Sequence, residues 1–110
     1  MTLATTDDES PAPPLRDFIL LMHVCATSDE AQWGQWLAQL EKAGALQGGS
    51  AMGGGVAVSQ TGREPITTGH VDGYVRVRAR DLEGAIALLA GNPVFASGGT
   101  VEVRELPQDA

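Results

Sequence analysis

The spacing of hydrophobic positions changes from segment to segment along the chain. Phe18 to Val24 is an apolar run interrupted only by His23, and its length suits one strand. Phe18, Leu20, Met22 and Val24 fall on one face, with Ile19, Leu21 and His23 on the other, so the pattern predicts a central strand covered on both sides. A capping box follows at Thr27-Ser28-Asp29-Glu30. Trp33, Trp36, Leu37 and Leu40 then recur at helical spacing, with Lys42 in the last turn and Gly44 just beyond it. Residues 45–68 carry two glycine clusters, Gly48-Gly49 and Gly53-Gly54-Gly55. They read as a pair of short, bent strands forming an edge, bulged at a glycine, with Gln60 to Arg63 as a turn. Tyr74 to Ala79 alternates strictly, placing Val75, Val77 and Ala79 inward and Tyr74, Arg76 and Arg78 outward. Asp81 caps a second helix carrying Leu82, Ala85, Ile86 and Leu89, stopped by Gly91-Asn92-Pro93. After Gly98-Gly99, Thr100 to Arg104 alternates as a last strand.

This order, β-α-β-β-α-β, predicts an α+β domain of the ferredoxin-like type, a four-stranded antiparallel sheet with two helices on one face. The helices leave the other face open, yet the first strand is apolar on both sides. An uncovered apolar face marks a partner surface, and the economical partner is a second copy. The expectation is therefore a homodimer joined through its open sheet faces. The domain should span residues 17–107, between an acidic, proline-rich disordered tail at 1–16 and a short tail at 108–110.

Charge and composition narrow the partners. The formal charge is −7, from 14 acids against 7 bases, which argues against a nucleic-acid or anionic-membrane surface. Three of the acids, Asp7, Asp8 and Glu9, sit in the tail, while Arg76, Arg78 and Arg80 concentrate positive charge on one strand. The apolar run at Phe18 is far too short to span a bilayer, and the N-terminus lacks the pattern of a secretory signal. A lone cysteine, Cys25, makes no internal disulfide, so a reducing cytoplasm is the expected compartment.

Candidate chemistry is sparse. His23, at the end of the first strand, can serve as a general base or a ligand contact. His70 and Asp72 share one side of an extended segment, where Asp72 would orient His70, or else Asp72-Gly73 is a solvated turn. Arg76 and Arg78 can bind a small carboxylate, or else pair with Glu102 on a neighbouring strand or across the dimer. Cys25 points away from His23 if the strand continues, and reads as a small buried hydrophobe. The glycine clusters lack the lysine and hydroxyl of a phosphate loop. Two histidines without a second cysteine predict no metal site, and no cofactor is expected.

The chain resembles the YCII-related family, which includes the DGPF-motif proteins. The resemblance runs from about Asp17 to Pro107. It is carried by the opening Phe18-Ile-Leu-Leu-Met-His strand, Trp36-Leu-Ala-Gln-Leu-Glu-Lys-Ala-Gly44, Leu46-Gln-Gly-Gly-Ser and Val71-Asp-Gly-Tyr74. Asp81-Leu-Glu-Gly-Ala-Ile, Asn92-Pro93 and Gly98-Gly-Thr-Val-Glu-Val-Arg104 complete it. The resemblance implies a ferredoxin-like fold forming a dimeric α+β barrel, and in some members a His/Asp pair near the start of the fold. At the naming motif only Gly69 matches; Thr68 stands where the family has Asp, and His70 where it has Pro. The reading that follows is a small, non-catalytic dimeric accessory or small-molecule-binding module. Its alternative is an isomerase- or lyase-type enzyme using His23, or His70 with Asp72, on a small acidic ligand.

Overall fold

The computed structural model describes residues 14–25 and 30–108. Strand β1 (Arg16–His23) leads to helix α1 (Glu30–Lys42) and strand β2 (Leu46–Ala51). A hairpin of β3 (Val56–Ser59) and β4 (Gly62–Pro65) comes next, then the long β5 (Val71–Ala79). Two short helices, α2 (Leu82–Ala87) and α3 (Pro93–Ala96), precede β6 (Val101–Leu106). Four strands form one antiparallel sheet in the order β2-β5-β1-β6, and β3 and β4 pair only with each other. Residues 1–13 of the predicted tail and the cap residues Thr27 to Asp29 lie outside the described residues, while Arg16, placed in that tail, begins β1. Among those described, no helix is long and apolar enough to cross a membrane.

The core sits between the sheet and the helices, and alternation puts it there. Phe18, Leu20 and Met22 of β1 stand beside Val75, Val77 and Ala79 of β5, all buried. Trp36 and Leu40 of α1, with Ala85, Leu89 and Val94, close over them. Burial of each large aliphatic side chain contributes roughly 1.5–3 kcal/mol, so this stripe carries most of the stability. The opposite face of β1 differs from expectation: Ile19 and Leu21 are only half-buried, because no helix crosses that side. Val24 does not extend the buried row either. The strand ends at His23, and Val24 is exposed.

Residues 45–68 also depart from the predicted paired edge. The edge strand is β2 alone, which pairs with β5 through an irregularity between Leu46 and Gly48, so the bulge does fall at a glycine. Gly48 has a φ of +130°, open to glycine and strained for other residues. The strand signal at Val56 to Ser59 is real, but it closes on β4 across a Gln60-Thr61 turn, and the whole stretch from Gly49 to His70 is exposed. Alternation could find these strands but not their partners.

In the second half, Asp81 caps α2 as expected, its Oδ1 accepting from the Gly84 backbone N–H at 2.8 Å. The helix is shorter than its pattern suggests, and Leu82 and Ile86 are exposed while Ala85 and Leu89 are buried. Trp36 sets that end, since its Nε1–H donates to the Leu88 carbonyl at 2.8 Å. Gly91-Asn92-Pro93 stops one helix and starts another: Gly91 has a φ of +88°, and Asn92 Oδ1 caps α3 by accepting from Phe95 N–H. Asp72-Gly73 is not a reversal but part of β5; the chain turns earlier, where Val71 N–H donates to the Thr68 carbonyl.

The β2–β5 approach is close enough to test. A Cβ on Gly49 would lie 2.5 Å from the Tyr74 carbonyl and 2.9 Å from Val75 Cα, whereas Gly53 faces open space. Gly49→Ala is expected to cost about 1–3 kcal/mol in urea denaturation, and Gly53→Ala under about 0.5 kcal/mol. Equal costs would contradict this packing.

Candidate functional site

The open face of the sheet ends in a polar cluster that three separate segments assemble. On β6, Glu102 stands opposite Leu21 of β1, which makes it the diagonal neighbour of His23 on the same face. The His23 backbone N–H continues the ladder by donating to the Thr100 carbonyl at 3.0 Å. The side chains then meet, with His23 Nε2 at 2.6 Å from Glu102 Oε2. Both are partly open to solvent, with side-chain exposures of 28% for His23 and 42% for Glu102.

His70 arrives from the turn before β5. Its carbonyl accepts from Val24 N–H at 2.7 Å, which ties that turn to the end of β1. The register between β1 and β5 slips here: Met22 faces Gly73 and His23 faces Val71, leaving Asp72 as the extra residue of a bulge. A regular ladder would have put Asp72 opposite His23. With the bulge, His70 presents its ring edge-on to His23, centroids 4.8 Å apart at 84°, and its Nε2 lies 3.9 Å from the same Glu102 oxygen.

Electrostatics follow from these contacts. The hydrogen bond from His23 is the chief influence holding the Glu102 carboxyl below its ordinary value of 4.5. Partial desolvation opposes it, while the charges of His23, His70 and Arg104 act in the same downward direction. When the His23 Nε2–H donates to Glu102, the neutral ring keeps its lone pair on Nδ1. The arrangement thus offers a carboxylate-oriented base, a second imidazole beside it, and access from solvent.

The other candidates lie elsewhere. Asp72 lines a cleft of about 480 Å³ between α1 and the β2–β5 edge, together with Met22, Trp33, Leu37, Tyr74 and Val75. Met22 and His23 point to opposite faces of β1, so this cleft lies apart from the histidines. Arg76 donates through Nη2 to the Gln47 carbonyl at 2.9 Å, and Arg78 Nε lies 3.2 Å from Asp17 Oδ1. The expected pairing of these arginines with Glu102 is not made within the chain, because β5 and β6 flank β1 from opposite sides. Arg76 faces Ile19, four residues from His23 and so roughly 13 Å along the strand. Cys25 is half-buried, its Sγ 3.2 Å from Ser97 Oγ. Glu102 is the residue that sequence reasoning missed as a partner for His23. Alternation put it on the open face, but only the β1–β6 register brings it to the histidine. It also supplies a third donor where counting had found only two histidines, and the donor atoms of all three residues lie within 4.8 Å of one another.

The sequence profile of the YCII-related domain matches residues 5–108. The chain belongs to the YCII-related family. A search of curated proteins found no match. In this YCII-related domain the carboxylate touching the His at the end of the first strand is Glu102, from the last strand.

A carboxyl held low in the folded protein stabilises the fold at pH values above its unfolded value, and that contribution fades as pH falls through the folded value. In metal-chelating buffer, the stability gap between wild type and Glu102→Gln should therefore shrink as pH falls below the ordinary value of 4.5. Urea titrations across pH 3–5 would read it. A gap that widens as pH falls through that range would contradict the His23–Glu102 pair.

Proposed function

We propose that this YCII-related protein is a homodimer that binds a small acidic molecule over its open sheet face and performs general acid–base chemistry on it. The observation that carries this reading is the 2.6 Å contact between His23 and Glu102, with His70 on the same carboxylate. Glu102 holds the imidazole in one tautomer. His23 takes a proton from the bound molecule, and His70 returns one at the neighbouring position. One base and one acid on adjacent atoms are the requirement of an isomerisation or an elimination. Glu102 supplies the orienting carboxylate that a histidine base requires.

Several features support the dimer. With the hairpin β3–β4 set aside, the element order and the strand order β2-β5-β1-β6 agree with a ferredoxin-like arrangement. Ile19, Leu21 and Leu106 are half-buried on the face that no helix covers. Arg76 and Arg78 stand too far along that face to share a ligand with His23 of the same chain, so a face-to-face partner is what would complete an anion clamp. A single cysteine suits a reducing cytoplasm. A binding-only role has its own support in the cleft beside Trp33, which is separate from the histidines.

Light scattering at micromolar concentration should give twice the chain mass, and a monomer would overturn the dimer. A panel of small carboxylates should raise the melting temperature. Proton NMR in D2O should show exchange of a carbon-bound hydrogen next to the carboxylate of at least one of them. His23→Ala should cut that exchange at least a hundredfold, the usual contribution of a positioned acid–base group. Thermal shifts that survive His23→Ala, with no exchange in the wild type, would support the binding module instead.

A further inference from the structure

We propose that His23, His70 and Glu102 form a three-ligand site for a divalent transition-metal ion, of which Zn2+ is the representative. This goes beyond the acid–base reading and does not need it, since ion binding requires no substrate and no dimer.

The argument begins with the donor set. Two imidazoles and one carboxylate suit zinc and its first-row neighbours, whereas calcium and magnesium take shells of oxygen. Geometry comes next. Zn–N and Zn–O bonds of about 2.0–2.2 Å place tetrahedral ligands roughly 3.3–3.6 Å apart. The observed separations bracket that spacing: 2.6 Å from His23 to Glu102, 3.9 Å from His70 to the same oxygen, and none of the donors beyond 4.8 Å from another. Small side-chain rotations bring all three onto one ion, and the ion replaces the proton that His23 shares with Glu102. Backbone structure favours this convergence, because the donors come from β1, β6 and the turn tied to β1 by the Val24–His70 hydrogen bond. Three protein ligands leave the fourth position open, the arrangement of a catalytic rather than a structural zinc site. Side-chain exposures of 28%, 42% and 53% leave a route for the ion and for a molecule that would take that position.

The bulge at Asp72 then has a second consequence. It displaces Asp72 from the place opposite His23, and the imidazole of His70 stands beside Glu102. The site is a His/His/Glu set.

The test uses the full chain without an affinity tag, stripped with EDTA and dialysed. Calorimetric titration with ZnCl2 at pH 7.5 should show one ion per chain with a Kd in the micromolar range or below, and the melting temperature should rise with zinc. His70→Ala and Glu102→Gln should each weaken binding at least tenfold, while Asp72→Ala should leave it unchanged. Because the chain has 2 histidines, the imidazole NMR signals of both should move on adding zinc to the wild type, a readout that does not depend on any variant folding. Co2+ should give the intense visible band of a four- or five-coordinate site. Absence of saturable binding below millimolar zinc, or movement of only one histidine, would overturn the proposal. So would binding that both variants retain. Loss of zinc binding with carboxylate binding and exchange intact in EDTA would sink this site alone; the converse would leave it standing and remove the acid–base reading.

Discussion

The antiparallel pairing of β1 with β5 on one side and β6 on the other is the constraint from which the rest of the molecule follows. It places eight residues of one strand, Arg16 to His23, in the middle of the sheet. Every second residue of that strand then belongs to the core, and Phe18, Leu20 and Met22 meet Val75, Val77 and the indole of Trp36. The intervening residues belong to the other face. His23 is the last of them, so it is held by a strand that cannot move without opening the core. A functional side chain on such a strand is positioned more firmly than one on a loop.

Placement of the site depends on one irregularity. A bulge adds a residue to β5 opposite the end of β1, and it separates two chemistries that the linear sequence sets side by side. Asp72 borders the apolar cleft, and His70 meets His23. Bulges bend and re-aim strands next to functional sites, and Gly73 beside this one is buried in contact distance of Met22 and the β2 backbone. The same face carries Arg76 and Arg78 further along, engaged with the Gln47 carbonyl and Asp17. The histidines and the arginines are therefore two ends of one surface rather than one pocket.

Membership of the YCII-related family accounts for the architecture more than for the reaction. What distinguishes this chain is the donor set at the end of its sheet. A carboxylate from the last strand touches a histidine from the first, and a second histidine stands where the resemblance implied proline. Partial exposure of all three keeps them exchangeable with solvent, which suits proton transfer and ligand exchange better than a structural role in the core.

Strand alternation in Phe18 to Met22 and Val75 to Ala79, the stripe of Trp36 and Leu40, and the Asp81 cap were all legible in the sequence, because each is a local rule of period or capping. The helix span of Leu82 to Ala87 was less so. Its length is set by Trp36 reaching the Leu88 carbonyl from another element. Pairing of β3 with β4 rather than with the sheet edge was equally hidden, since alternation states which face a residue occupies and not which strand lies beside it. His23 and His70 stood out as the only histidines, but their meeting at Glu102 is separated by 79 residues in one contact and depends on a one-residue slip in another. By itself the sequence determined most of the elements, the inward faces of β1, α1 and β5, and the two histidines. Tertiary structure alone decided which of those side chains touch, because strand register is a long-range choice and a single bulge moves every residue beyond it to the other face.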